Sequence, residues 1–286
     1  MIFEHEIPSG SKLYFGNSAR IKRDIEYIAS EALDNLGFEE IVTPLFSYHQ
    51  HESFDDMKPL VRLNDEANHE VTLRADSTAD VVRIVTKRLG RTTESKKWFY
   101  IQPTVTFPTF EQYQIGAEII DGSFEEIANT TITLLSQIGA TPVMQIANIS
   151  IPHILNEHYG ISLDVLKSMD IEKIVCVDLP WIEELVRLHK VEDLRDLSAF
   201  PEDIRVELEK IKSSAEAIDY PNMVISPLFY AKMRYYESLT FRMFEDNSLL
   251  AMGGVYKVDG ISATGVALYT DECITNKMNK EDSVDE

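Results

Sequence analysis

Cysteine is nearly missing from this 286-residue chain. Cys176 and Cys273 lie far apart and read as two free thiols in a reducing compartment, not as a disulfide or a metal pair. No apolar run approaches the roughly 18 residues of a membrane span. The opening residues, Met1-Ile2-Phe3-Glu4-His5-Glu6, lack a basic stretch followed by an apolar one, so no secretory signal is expected and the reading is cytoplasmic. Positive charge is scarce as well. Lysine and arginine total 27 against 48 acidic residues, a net charge of −21, and such a chain repels phosphate backbones at long range. The sole basic stretch to weigh, Lys87-Arg88-Leu89-Gly90-Arg91 followed by Lys96-Lys97, reads as a solvated helix end.

Several signatures of chemistry are also missing. Gly253-Gly254 is followed by no GxGxxG or Walker pattern and reads as a tight turn or close backbone packing. His153 and Glu157-His158 do not have the HExxH spacing, and no third ligand accompanies His49-Gln50-His51. No G-x-S-x-G run supports nucleophilic catalysis. Phe124-Glu125-Glu126 reads as a helix start, where carboxylates suit the dipole. The expectation is a protein without cofactor, metal, membrane or nucleic-acid contact.

What is present is an ordinary globular composition, 44% hydrophobic and 26% charged, long enough for one large domain or two smaller ones. Ile21, Ile25, Ile28, Ala32 and Leu36 predict a helix over 18–36, capped by Asn17 or Ser18 and stopped by Gly37. Ile41-Val42-Thr43 predicts a short strand ended by Pro44, and 69–74 another. Helical spacing returns at Val81, Ile84, Val85 and Leu89. Trp98 to Ile101 and Gln112 to Ile120 read as strands joined by a loop holding Pro103 and Pro108. A helix over 124–138 and a strand over 142–149 follow. Residues 151–217 are rich in helix formers and read as several short helices. Strands resume from Met223 to about Leu268, and the polar run 276–286 is expected to fray. Strands, a helical block, then strands again imply an antiparallel sheet interrupted by an insertion, an α+β fold.

Two stretches carry most of the chemistry: Leu73-Arg74-Ala75-Asp76-Ser77-Thr78-Ala79 and Gln114-Ile115-Gly116-Ala117-Glu118. Asp76 and Glu118 can hold an ammonium or an imidazole N–H, while Thr78 and Gln114 can orient it. Gln114 and Glu118 share one strand face. Arg74 and Asp76 also fit an ordinary ion pair at a helix start.

These stretches resemble segments of class II aminoacyl-tRNA synthetases, histidyl branch. Helix 18–36 with Gly37 to Pro44 is similar to the dimer-forming first motif. Leu73 to Arg83 resembles Leu-Arg-Pro-Asp/Glu-x-Thr-Ala-x-x-x-Arg, and Tyr113 to Ile120 resembles the Gln-Ile-Gly-x-Glu strand. Tyr235-Tyr236, Phe241, Phe244-Glu245 and Met252-Gly253-Gly254-Val255-Tyr256 resemble the Tyr-Tyr … Phe-Glu … Gly-Gly-Arg-Tyr block, and Ala263 to Asp271 the final motif. The likeness spans about residues 7–271 in the same order. It implies a core of mostly antiparallel sheet flanked by helices, formed by 1–150 and 223–271, with a helical insertion at 151–222 and a polar tail at 272–286. It also implies a homodimer through 18–48.

The departures from that pattern point away from amino-acid activation. Synthetases stabilise ATP phosphates with arginines. Pro103-Thr104-Val105-Thr106 has none, Ala231 falls where the catalytic arginine belongs, and Glu272 falls where the ATP-binding arginine belongs. The chain also ends after the last motif, without the length of an anticodon-binding domain. By resemblance, Asp76, Thr78 and Gln114 would hold the ammonium of an amino acid. Glu118 with Tyr235 or Tyr236 would meet an imidazole, and Arg234 would replace the arginine that usually holds the carboxylate. This combination resembles the ATP phosphoribosyltransferase regulatory-subunit family. That family implies no catalysis, histidine or another amino acid as ligand, and the ATP phosphoribosyltransferase catalytic subunit as partner in the first step of histidine biosynthesis. An amino-acid ligase acting on a non-tRNA acceptor and a synthetase-derived binding protein of another role remain open beside it.

Overall fold

A computed structural model describes residues 6–53, 57–231 and 235–284. Ile21, Ile25, Ala29, Ala32 and Leu33 recur at helical spacing and are buried along one side of α1 (Gly16–Asn35). The helix starts earlier than its apolar period implied. Ser18 reaches back, its hydroxyl oxygen accepting the Phe15 N–H at 3.1 Å, and so caps from inside the first turn. Gly37 ends it as expected, at φ 81°.

Next come β1 (Glu39–Glu40), β2 (Phe46–Ser47), β3 (Arg62–Asn64), β4 (Glu70–Leu73) and α2 (Thr78–Ile84). Then come β5 (Lys97–Thr106), β6 (Phe110–Ile120), α3 (Phe124–Gln137) and β7 (Val143–Asn148). A helical block follows: α4 (Ser150–Glu157), α5 (Leu163–Lys167), α6 (Ile171–Val175), α7 (Ile182–Arg187) and α8 (Glu202–Ile218). The chain closes with β8 (Met223–Ile225), β9 (Tyr236–Glu245), β10 (Ser248–Val258), β11 (Ile261–Tyr269) and α9 (Thr270–Val284).

The main sheet has eight strands in the order β1-β5-β6-β11-β10-β9-β7-β8, and a small sheet has the order β2-β4-β3. β1 runs parallel to β5 and β8 parallel to β7, while the other neighbours in the main sheet are antiparallel. The fold is therefore α+β around a mixed sheet flanked by helices. Alternation along the strands gives the sheet two different faces. Ile115, Ala117, Ile119, Phe241, Met243, Val266 and Leu268 join the apolar cluster that includes α1 and α3. Ile151, Leu155, Leu166, Ile174, Leu185, Leu208 and Ile211 from the helical block belong to the same cluster. The opposite face carries Gln114, Gly116 and Glu118 of β6.

Three sequence expectations are corrected here. The strand expected at Ile41-Val42-Thr43 starts two residues earlier, where Glu39 and Glu40 pair with Trp98 and Phe99 and Ile41 adds one N–H to the Phe99 carbonyl. Thr43 is drawn off toward Gln102 and Arg74 instead. Pro103 is not in a loop. It lies in β5 opposite Tyr113, where its missing N–H faces an edge that has no strand alongside. The tail expected to fray from Asn276 is helical through Val284. Cys273 and Ile274 seat α9 in the core, and Asn17 of α1 donates to Glu281 at 3.1 Å, so tertiary contact overrides a polar composition. Among the described residues no helix is long and apolar enough to cross a membrane.

Two glycines shape the polar face. A Cβ on Gly116 would sit 2.0 Å from Cζ of Tyr100, and one on Gly265 would sit 1.7 Å from Oε2 of Glu118. Each glycine gives its space to a buried polar side chain from a neighbouring strand. Gly116→Ala is expected to destabilise the protein by about 1–3 kcal/mol, the usual cost of overpacking a closed core. Urea denaturation of the variant against the parent measures it; equal midpoints would show that Tyr100 can move aside.

Candidate functional site

The segment 74–80 enters the polar face as the end of β4 and the start of α2, and buried side chains wire it in place. Arg74 is 4% exposed. Its guanidinium donates to the carbonyls of Pro103 (2.8 and 3.0 Å), Thr43 (2.9 Å) and Pro44 (3.2 Å). It pairs with backbone oxygens and not with Asp76. Gln50 accepts the N–H groups of Ala75 (2.9 Å) and Asp76 (2.7 Å) at Oε1. Through Nε2 it donates to the Asp76 carbonyl and to Asp80. Gln102 joins Thr43 to Ser77. Asp76 itself accepts the Ala79 N–H at 3.1 Å, closing the first turn of α2.

Above the polar face lies a cavity of about 170 Å³. Asp76 and Thr78 come from the start of α2, Gln112 and Gln114 from β6, and Met252 and Tyr256 from β10. Gly265, Ala267 and Tyr269 come from β11, and Tyr235 and Tyr236 from the entry to β9. The Tyr235 hydroxyl donates to Asp76 at 3.2 Å, and its ring meets the Tyr256 ring edge-on with centroids 5.4 Å apart. The Tyr256 hydroxyl donates to Oε2 of Glu118 at 2.6 Å.

Charge in this site is strongly conditioned by burial. Burial pushes the Glu118 carboxyl up to about 8, against the hydroxyls of Tyr256, Thr78 and Tyr100, which favour the ionised form. Glu118 is 0% exposed, and its Oε1 has no well-formed hydrogen-bond partner among the described residues. Asp76 is raised to about 6, chiefly by burial and further by the charge of Asp80, against the bonds from Ala79 and Tyr235. The site can therefore hold a proton on Glu118 near neutrality while Asp76 presents a carboxylate.

Asp76, Thr78, Gln114, Tyr235 and Tyr236, picked out from sequence, meet around this one cavity. Glu118 lies one layer deeper, joined to the cavity wall through Tyr256. Arg234 lies outside the described residues. Gln50 is not among the residues picked out from sequence, because an amide between two histidines carries no local sign of the peptide it reaches. Tyr269 is not among them either, although the alternation Gly265, Ala267, Tyr269 marks one strand face with two small residues and a large polar one.

A histidyl-tRNA synthetase family profile matches residues 16–273. An ATP phosphoribosyltransferase regulatory subunit of Wolinella succinogenes is 45% identical over 96% of this chain and 96% of its own length. One from Helicobacter hepaticus is 41% identical over 96% and 98%. The chain belongs to the ATP phosphoribosyltransferase regulatory-subunit family. Solved structures agree on the fold of this regulatory-subunit family. A Bacillus halodurans protein described as an ATP phosphoribosyltransferase regulatory subunit/histidyl-tRNA synthetase superposes with a TM-score of 0.83 at 19% identity, covering 96% of this chain and 83% of that one. A histidine–tRNA ligase subunit of Alicyclobacillus acidocaldarius gives 0.80 at 18%, covering 98% and 99%.

The Glu118 proton has a thermodynamic signature. The ordinary carboxyl value is 4.5 and the folded value about 8, so between them the folded state keeps a proton that the unfolded chain has released. Stability should fall as pH rises through this window and level off above it. Glu118→Gln should remove that part of the decline. Urea titrations of both proteins from pH 5 to 9 (about the window of the linkage) test this, and parallel curves would show that Glu118 does not titrate upward.

Proposed function

We propose that this chain is a non-catalytic regulatory subunit of ATP phosphoribosyltransferase, acting at the first step of histidine biosynthesis and binding an amino acid, histidine foremost, in the cavity beside Asp76. The carrying observation is the cavity itself, with the Asp76 carboxylate in its wall and the Glu118 carboxyl one layer behind Tyr256. Asp76 receives the ammonium, with Thr78 and Gln114 orienting it. The imidazole lies toward Tyr235, Tyr236 and Tyr256, the last held by Glu118. A phenol and a protonatable carboxyl behind it serve either ring tautomer.

The ATP side of the pocket supports the absence of activation. Ala231, where the resemblance expects an arginine, is a buried apolar residue, and Glu272 sits in the first turn of α9. Neither can stabilise a phosphate anion as a guanidinium does. The partner is the ATP phosphoribosyltransferase catalytic subunit. A homodimer through 18–48 is supported by exposed Tyr27, Val42, Phe46 and Tyr48, a concentration of apolar surface on that segment.

Calorimetry with the twenty amino acids tests the ligand. Histidine should bind, and Asp76→Asn should weaken it about 10- to 100-fold, the range for a charged hydrogen bond. Asparagine still accepts the Ala79 N–H, so the helix start survives. Pyrophosphate exchange with ATP should give no signal; a clear signal would replace this reading with the ligase one. Mixing with a short-form catalytic subunit should give co-elution, and separate elution would remove the partner.

A further inference from the structure

Arg242 is the unusual cation of the polar face. It lies on β9 directly opposite Met252, a lining residue of the cavity, and on its other side faces Gln145 of β7. Its guanidinium is only partly exposed and stacks on Phe229 at 3.8 Å and Phe244 at 4.9 Å. Nε donates to Oε1 of Gln145 at 2.9 Å, and Nη2 donates to the same oxygen. Among the described residues no carboxylate pairs with it, and Nη1 has no partner.

This is an abnormal state for a half-buried charge, which proteins normally neutralise. Arg74 makes the contrast: it is more deeply buried, but backbone carbonyls from two separate parts of the chain occupy its fork. Arg242 has one neutral acceptor, two aromatic rings that fix its plane, and an unused edge. Burial lowers its basicity, and Tyr269, another lining residue, lies beside it as a neutral phenol. A planar guanidinium held this way is preorganised for a carboxylate.

We infer that Arg242 is the anion anchor of the cavity, holding the carboxylate of the bound α-amino acid while Asp76 holds its ammonium. This rests on the amino-acid reading of the cavity. It gives the role assigned from sequence to Arg234 to a different arginine, on the strand that flanks Met252. It also defines the ligand class: a zwitterion, and not an amine. An amine would satisfy Asp76 and leave Arg242 unpaired.

Paired calorimetry tests the assignment, using each amino acid that binds and its decarboxylated amine, beginning with histidine and histamine. The parent protein should prefer histidine by about 10- to 100-fold, the range for a charge-assisted hydrogen bond. Arg242→Gln should lower histidine affinity by a similar factor and leave histamine unchanged, and Arg242→Lys should recover part of the loss. Thermal unfolding of each variant shows that the fold is kept. If Arg242→Gln leaves histidine binding intact, or weakens acid and amine alike, the anchor assignment is overturned and the amino-acid reading stands. A parent protein that binds no amino acid overturns both.

Discussion

Everything at the site depends on one buried guanidinium. Arg74 ties the end of β4 to the carbonyls of Pro103 in β5 and of Thr43 and Pro44 in the segment after β1. At Pro103 the outer edge of β5 carries a carbonyl and no N–H, and Arg74 donates to that carbonyl. Without Arg74 the buried Thr43 carbonyl would lose this donor, a cost of about 1–3 kcal/mol for a buried group left unsatisfied. Apolar packing of Ala79, Val81, Val82 and Val85 seats α2 on the main sheet, and polar bonds through Arg74, Gln50 and Gln102 fix the segment that leads into it. Placement by hydrogen bonds is directional, so the polar groups around the cavity are fixed in orientation as well as in position.

The same wiring explains how a carboxylate comes to stand at the cavity. Asp76 is held by the Ala79 N–H and the Tyr235 hydroxyl, and Gln50 grips the peptide on either side of it. Its partners are neutral, so its charge remains available. Glu118 is the opposite case, a carboxyl sealed under Tyr256 and pressed against Gly265. Burial raises both acids, Glu118 further than Asp76, because Glu118 is sealed beneath the cavity wall while Asp76 lines the cavity.

Much of this was legible in the sequence, for identifiable reasons. α1 and α3 follow an apolar period, and the long strands β5 and β6 follow alternation, so local pattern and burial agree. Asp76, Thr78 and Gln114 stood out because polar residues interrupt apolar runs at positions that share a face. The departures came where distant contacts decide. Nothing local distinguishes Pro103 in a loop from Pro103 on a strand edge, and α9 is polar along most of its length, with Cys273 and Ile274 as its hold on the core. Gln50 has no local signal at all. Its importance comes from reaching a peptide 25 residues away, as the separation between Gln50 and Ala75 shows. Likewise nothing local marks Arg242 between Phe241 and Met243, and only the strand order sets it beside Gln145.

The strand order also bears on how the protein is made. β11 leaves the ribosome after every other described strand, yet it lies at the centre of the main sheet, between β6 and β10. Until it arrives, the sheet exists as two pieces whose inner edges have no partner, and the wall of the cavity formed by Gly265, Ala267 and Tyr269 is missing. Open edges of this kind invite pairing with other chains. The hairpin connection from β10 to β11 is tight, with Val258 opposite Ile261, so the final strand is delivered beside its neighbour as soon as it emerges. A chain arrested just before Ile261 would carry most of its core and a cavity open along the side that Gly265, Ala267 and Tyr269 close.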